Sequence, residues 1–319
     1  MMRYRRELSV FAAYALLLLA LLALRPDFFR RQFLDTAVSA APVLVVAVGM
    51  TLVIVARQID ISVGSQFSVC AVLAALASKH GLPMPAVVLL VMLAGACYGA
   101  INGGFVAFMG LPSIVVTLAT MVVGREALSW AREGEAVRDL PDRFQWLGLP
   151  QSAGETFLIL IGLAVLLAAA WATRFLAAGR APYAVGSDAE AARLAGVRPT
   201  RVTFWIFVLT GALAGLAGLL DAIRQPQVAT NLGMNLELKV IAAVVVGGAA
   251  VTGGRGTMIG TLIGVALLAT VRPALSFLGN SIGLRYPADW EKAAQGLIIL
   301  AAVGSETLFR RRSPRARPA

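Results

Sequence analysis

The sequence predicts an all-α polytopic membrane protein, and three observations carry that reading. The 319-residue chain is 59% hydrophobic and only 14% charged, whereas soluble domains carry about 25% charged residues. Its mean hydropathy is +0.80. Long runs hold no charge at all: 8–24, 36–56, 61–78, 81–124, 156–173 and 202–220. A helix of about 20 apolar residues crosses ~30 Å of hydrocarbon. Membrane barrels instead show short alternating segments. The expectation is about ten transmembrane helices, some of them broken.

The first span, 8–24, follows Arg3, Arg5 and Arg6. Its apolar stretch is longer than that of a usual signal peptide, and no small-x-small cleavage pattern follows, so it is expected to be retained. Spans 37–56 and 62–78 flank a short polar turn around Arg57 and Asp60. Spans 86–108 and 113–130 come from one uncharged run that Gly110-Leu111-Pro112 interrupts. Residues 131–155, with Arg132, Glu133, Glu135, Asp139, Asp142 and Arg143, read as a solvated loop. Spans 156–176 and 203–221 bracket a polar segment. Spans 237–250 and 257–276 are parted by Gly253-Gly254-Arg255-Gly256. Glycine and proline are tolerated at this depth where neighbouring helices satisfy the freed backbone groups. A span over 292–309 and a basic tail over 310–319 close the chain. Residues 1–309 thus form a single membrane domain.

An even number of spans puts both termini on one side. Arg180, Arg193, Arg198, Arg201 and the tail arginines 310–312, 315 and 317 then share that side. This excess marks it as cytoplasmic. The net charge of +11 sits at helix ends and in the tail, where it meets anionic head groups of the bilayer. It does not imply nucleic acid. Glycine pairs at i, i+4 (Gly99 and Gly103, Gly211 and Gly215, Gly256, Gly260 and Gly264) suit close helix packing.

The segment 184–202 is the most informative. Ser187 and Glu190 form a capping box, and Asp188 adds negative charge where a helix dipole favours it. Gly196 offers a left-handed stop. About two turns of helix are expected over 188–195. Ala189, Ala192 and Leu194 would give it a small apolar contact, with Arg193 at the rim. A docking helix and an ordinary interfacial helix both fit.

Charges inside a membrane are functional candidates by default. Asp60 and Gln66 bracket Ser62, and Asp60 is placed to cap the span that follows. Asn102 could bond across helices or line a solute path. Asp221 and Arg224 read as a local pair. Glu237 and Lys239 read as contacts to a partner or to head groups. The single His80, without paired carboxylates or metal-spaced ligands, gives no catalytic constellation. No cofactor, no metal and no enzymatic activity are expected. Cys70 and Cys97 read as packing residues.

Several motifs in order resemble one family. Glu190-Ala191-Ala192 followed by Gly196 looks like the coupling-helix signature of ATP-binding cassette importer permeases. Gln58-Ile59-Asp60-Ile61-Ser62-Val63-Gly64-Ser65 resembles the Gly-Gly-Ile-Asp-Leu-Ser-Val-Gly-Ser segment of the ribose-type sugar permeases. Asn102-Gly103 and Gly110-Leu111-Pro112-Ser113 through Thr117, Thr120 and Met121 are similar to two further segments, as is Gly247-Gly248 with Gly253–Thr257. The likeness runs over about residues 40–305, most of the chain. One departure stands out: Arg57-Gln58 occupies the place of two glycines.

The resemblance implies a cytoplasmic coupling helix that enters a cleft on a separate ATP-binding cassette subunit through Ser187, Asp188, Glu190, Ala191, Ala192, Arg193 and Gly196. It implies a second permease subunit, identical or paralogous, and an extracytoplasmic sugar-binding protein. It implies a bacterial inner membrane, and a translocation pathway near Asp60, Ser62, Gln66, Asn102, Ser113 and Thr117. The chain has no Gly-Lys dipeptide, so it cannot build the phosphate-cradling loop of an ATPase. The solute is expected to be a monosaccharide. Arg57–Ile61 and the loop from Asp139 to Gly148 look most similar to the rhamnose-type branch. The autoinducer-2 branch is close, and ribose or another small polar solute stays open. An ion-coupled secondary transporter is the alternative class. It would favour paired repeats and buried carboxylate relays, which the sequence does not display. A passive channel leaves the coupling segment without a use.

Overall fold

A computed structural model describes residues 5–24, 26–279 and 296. The chain folds into helices α1 (Arg5–Leu24), α2 (Asp27–Arg31), α3 (Phe33–Val55), α4 (Val63–Lys79), α5 (Met84–Ala107) and α6 (Ser113–Ala131). Then follow α7 (Gln151–Phe175), α8 (Ala177–Ser187), α9 (Ala189–Leu194), α10 (Pro199–Ala222), α11 (Leu236–Val246) and α12 (Met258–Gly279). Six of these, α3, α5, α6, α7, α10 and α12, contain stretches long and apolar enough to cross a membrane. Two shorter apolar helices join them, Leu8–Leu24 within α1 and α4. The protein is a multi-pass membrane protein.

The expected spans from 8–24 to 257–276 each fall on a helix. The span 292–309 and the tail 310–319 lie outside the described residues. One expectation needs correction. The span 237–250 is α11, a helix of 11 residues, about 16 Å long and too short to cross. Irregular chain from 223 to 235 precedes it, and glycine-rich chain follows it. Non-helical backbone is admissible at depth when buried in protein, and Gly233 is tied in by its amide donating to Ser68 Oγ at 2.9 Å. Prolines set several starts: Pro83 and Pro112 are extended residues before α5 and α6, and Pro199 opens α10 without wasting an amide.

α3 and α10 form the centre. In α3 every residue from Leu44 to Val55 is buried. α5 lies antiparallel along α10 at backbone distance. A Cβ on Gly95 would strike the carbonyl of Gly211, one on Gly99 the carbonyl of Phe207, and one on Gly215 the carbonyl of Val91. The glycine pairs therefore pack within this chain. Gly260 and Gly264 do the same for α12 against Gly247 and Ala243. α6 and α7 turn apolar side chains outward, among them Val123, Leu160, Leu167 and Trp171, as a lipid-facing surface requires.

Candidate functional site

Between α3 and α4 the chain turns through residues 56–62 and carries Asp60 inward. Its Oδ1 accepts from the Ser62 amide at 2.9 Å and from Ser62 Oγ at 2.6 Å. Ser62 Oγ in turn accepts from Gln66 Nε2 and from Asn102 Nδ2, each at 2.7 Å. A hydroxyl has one proton and two lone pairs, so this one is fully used. Thr120 Oγ1 donates to Asn102 Oδ1 at 2.8 Å, which extends the network to α6. The amides of Ile59 and Ile61 donate to Ser113 Oγ and Thr117 Oγ1 at 3.2 and 3.1 Å.

All six residues singled out in the sequence as pathway candidates thus meet in one network. Each is buried, with Asp60, Ser62, Gln66, Asn102 and Thr117 inaccessible. Asp60 orders the turn into α4, and Asn102 bonds across helices. In this conformation they tie α4, α5 and α6 together and offer no open surface.

The second feature is the segment between α7 and α10. An additional helix, α8, precedes the expected one, and Pro182 lies inside it. Ser187 is its last residue, which corrects the expected cap. The capping side chain of α9 is Asp188, whose Oδ1 accepts from the amides of Glu190 and Ala191 at 2.9 and 3.0 Å. Ser187 ends α8, so the N-cap position of α9 falls one residue later, on Asp188. Glu190 does not reach back either. It takes two hydrogen bonds from Arg193, at 2.9 and 2.6 Å, and this holds its carboxyl below the usual value.

Gly196 ends the helix as expected, with φ at +84°. Its amide donates to the Arg193 carbonyl and the Val197 amide to the Ala192 carbonyl, each at 3.0 Å, the paired bonds of a Schellman stop. Ala192 is buried against the body, while Leu194 is 77% exposed. Ala191, Glu190 and Arg193 also face outward. The apolar contact is therefore Ala192 alone, and Leu194 projects away from it.

Sequence reasoning missed one site. The sequence suggests a partner or head-group contact for Glu237, but it is buried and lies 3.5 Å from Arg125 on α6. A Cβ on Gly64 would strike its Oε2. Arg125 is the first charge after the uncharged run 81–124. That was the available signal, since an arginine inside a membrane helix asks for a partner. The local pair of Asp221 and Arg224 forms at 2.8 Å.

On the face opposite α9, a bowl of about 790 Å³ is lined by Lys79, His80 and the 132–139 loop. Lys79 Nζ donates to the Arg138 carbonyl there at 2.9 Å. Among the described residues no group of three or more His, Cys, Asp or Glu is placed to hold a metal ion.

Comparison with known proteins gives a consistent result. A family model described as "Branched-chain amino acid transport system / permease component" matches residues 32–303. An autoinducer 2 import system permease protein LsrC from Enterobacter sp. is 34% identical over 93% of this chain and 85% of its own length. The protein of that name from Klebsiella pneumoniae is 35% identical over the same shares. Its counterpart in Photorhabdus luminescens is 32% identical, over 93% of this chain and 88% of its own. No solved structure matches.

Proposed function

The chain belongs to the family of branched-chain amino acid transport system permease components, and from that membership we propose that it is the membrane-spanning subunit of an importer driven by ATP hydrolysis on a separate ATP-binding cassette subunit. The observation that carries the proposal is α9. A six-residue helix is marginal on its own. This one is closed at both ends by Asp188 and Gly196, is seated by Ala192, and projects Glu190, Arg193 and Leu194 outward. That is the form of a helix made to enter another protein's cleft. The face bearing α9 would be cytoplasmic, with both chain termini. Closure of the ATPase pair would move α9 as a rigid piece. A second permease chain, identical or paralogous, would complete the solute path. A solute-loaded binding protein would dock over the bowl on the opposite face.

The solute we propose is autoinducer 2, the molecule in the names of the relatives above. The rhamnose expected from the sequence has no such support. Uptake of labelled autoinducer 2, rhamnose and ribose by a strain deleted for this gene decides between them: the proposed solute is the one whose uptake is lost. The coupling role is tested in proteoliposomes with the complete importer. Glu190→Lys and Gly196→Leu are expected to abolish ATP-dependent import. Import at full rate in both variants, or import without any ATPase, would sink the coupling role and leave an ion-coupled carrier.

A further inference from the structure

We propose that Arg57 is the positioning residue that carries the movement of α9 into the α3–α4 turn. This inference rests on the importer reading above.

Arg57 adopts φ +62°, a left-handed conformation that a residue with a Cβ takes only when its surroundings hold it there. Here the end of α3 holds it: the Arg57 amide donates to the Ile54 carbonyl and the Gln58 amide to the Val53 carbonyl, each at 3.0 Å, the paired bonds of a Schellman stop, and the side chain ties that stop to two other segments. Nε donates to the carbonyl of Thr252 at 2.7 Å, and Nη2 donates to the carbonyl of Ser187 at 2.9 Å. The first acceptor belongs to the glycine-rich loop between α11 and α12. The second is the terminal carbonyl of α8, one residue before the Asp188 cap of α9. A guanidinium there satisfies an orphan acceptor and complements the negative end of the helix.

Backbone contacts fuse the same three segments. The Gly254 amide donates to the Val55 carbonyl at 2.8 Å. A Cβ on Gly186 would strike that carbonyl, and one on Gly253 would strike the Arg57 side chain. Tyr183 donates its hydroxyl to the Gly256 carbonyl at 3.1 Å. The next residues along the turn are Ile59, Asp60 and Ile61, whose bonds reach Ser113, Thr117, Ser62 and Gln66. A route of hydrogen bonds joined by the main chain of residues 57–61 therefore runs from the start of α9 through Arg57 to the bases of α4 and α6. On its other side Arg57 borders a cavity of about 230 Å³, shared with Gln58, Ala107, Ala189 and Thr200. The junction has room to shift there, so Arg57 links two moving parts instead of wedging them.

The test uses the complete importer in proteoliposomes. Glycine accepts φ +62° freely, so Arg57→Gly keeps the turn and removes only the two side-chain bonds. Solute imported per ATP hydrolysed is expected to fall roughly five-fold, the effect of cutting one link in a coupling network. The binding-protein concentration for half-maximal stimulation should stay unchanged. Arg57→Lys, a point charge able to reach one carbonyl at a time, should fall between. An unchanged transport-to-hydrolysis ratio in Arg57→Gly overturns the proposal. Hydrogen exchange separates this result from failure of the importer reading, because it needs no transport. Arg57→Gly should speed exchange roughly ten-fold at the Gly254, Ile59 and Ile61 amides together. Faster exchange confined to residues 57 and 58 overturns the junction whatever the transport assay shows.

Discussion

Asn102 donates its side-chain amide to the hydroxyl of Ser62 across 2.7 Å, joining α5 to the turn that opens α4. Asn102→Leu keeps the volume but strands one lone pair of Ser62 and leaves the Thr120 hydroxyl with only the longer bond to the Thr117 carbonyl, at 3.2 Å. Leaving such groups unsatisfied costs about 1–3 kcal/mol. A double-mutant cycle with Ser62→Ala, read by thermal unfolding in detergent, should show a coupling of about 0.5–1.7 kcal/mol. Strict additivity of the two single changes would mean that the bond holds nothing together.

Gly95 and Gly211 touch backbone to backbone. An alanine at either position must push α5 away from α10, an overpacking worth about 1–3 kcal/mol. Gly104 sits on the same helix, and a Cβ there meets nothing within 4 Å. Gly104→Ala should therefore leave the unfolding temperature as it was or raise it. Equal shifts from Gly95→Ala and Gly104→Ala would contradict the packing.

At Gly196 a Cβ also meets nothing within 4 Å, but φ is +84°. The effect of Gly196→Ala is then purely conformational, about 1–2 kcal/mol, and Gly196→Asn should lose less. The measurement is amide exchange at Ala195, Gly196 and Val197. It should quicken most in the alanine variant, and equal exchange in both variants would count against the left-handed stop.

Arg193 lowers the Glu190 carboxyl below its ordinary value of 4.5. The sign follows directly. A carboxylate whose folded value is depressed contributes stability above its unfolded value and loses it as pH falls through the folded one. Both groups are fully solvated, so the contribution is small. The carbon-13 shift of the Glu190 carboxyl, followed against pH, should move its midpoint upward in Arg193→Gln. An unmoved midpoint would show that the pair does not persist in solution.

Glu237→Leu would leave Arg125 alone in the C-terminal half of α6. Removing one partner of a buried ion pair is destabilising by about 3–5 kcal/mol, and Arg125, a third exposed, should put the loss at the lower end. The double variant Arg125→Leu with Glu237→Leu should recover most of it. Failure of the second change to restore stability would show that Glu237 acts through some other contact.

The helical spans were legible because charge-free runs of sufficient length have one stable form in hydrocarbon. The Asp60, Ser62 and Gln66 group was also legible, since its spacing already places the three side chains together. Asn102 and Thr117 could be named as polar groups in apolar helices, but their convergence on Ser62 and the 59–61 amides depends on packing 40 or more residues away. The stop at Gly196 was readable from glycine chemistry. The start was not: Ser187 is the better-looking cap until α8 runs through Pro182 and claims it. Glu237 was misplaced because its partner Arg125 is remote in sequence, and α11 was overestimated because a hydrophobic run does not reveal where its helix ends, here at Gly247.

α5 and α10 meet through glycines along most of their length, with carbonyls lodged where side chains would stand. Carbonyls lodged in this way resist sliding and rolling of one helix against the other. The two helices behave as a single stiff beam reaching from the α9 face to the far face. α10 starts at Pro199, three residues after Gly196, so the displacement of α9 proposed above would enter that beam near its end. It would be delivered on the other side as a lever stroke whose amplitude is set by the length of the beam and the place where α4 crosses it at Gly218.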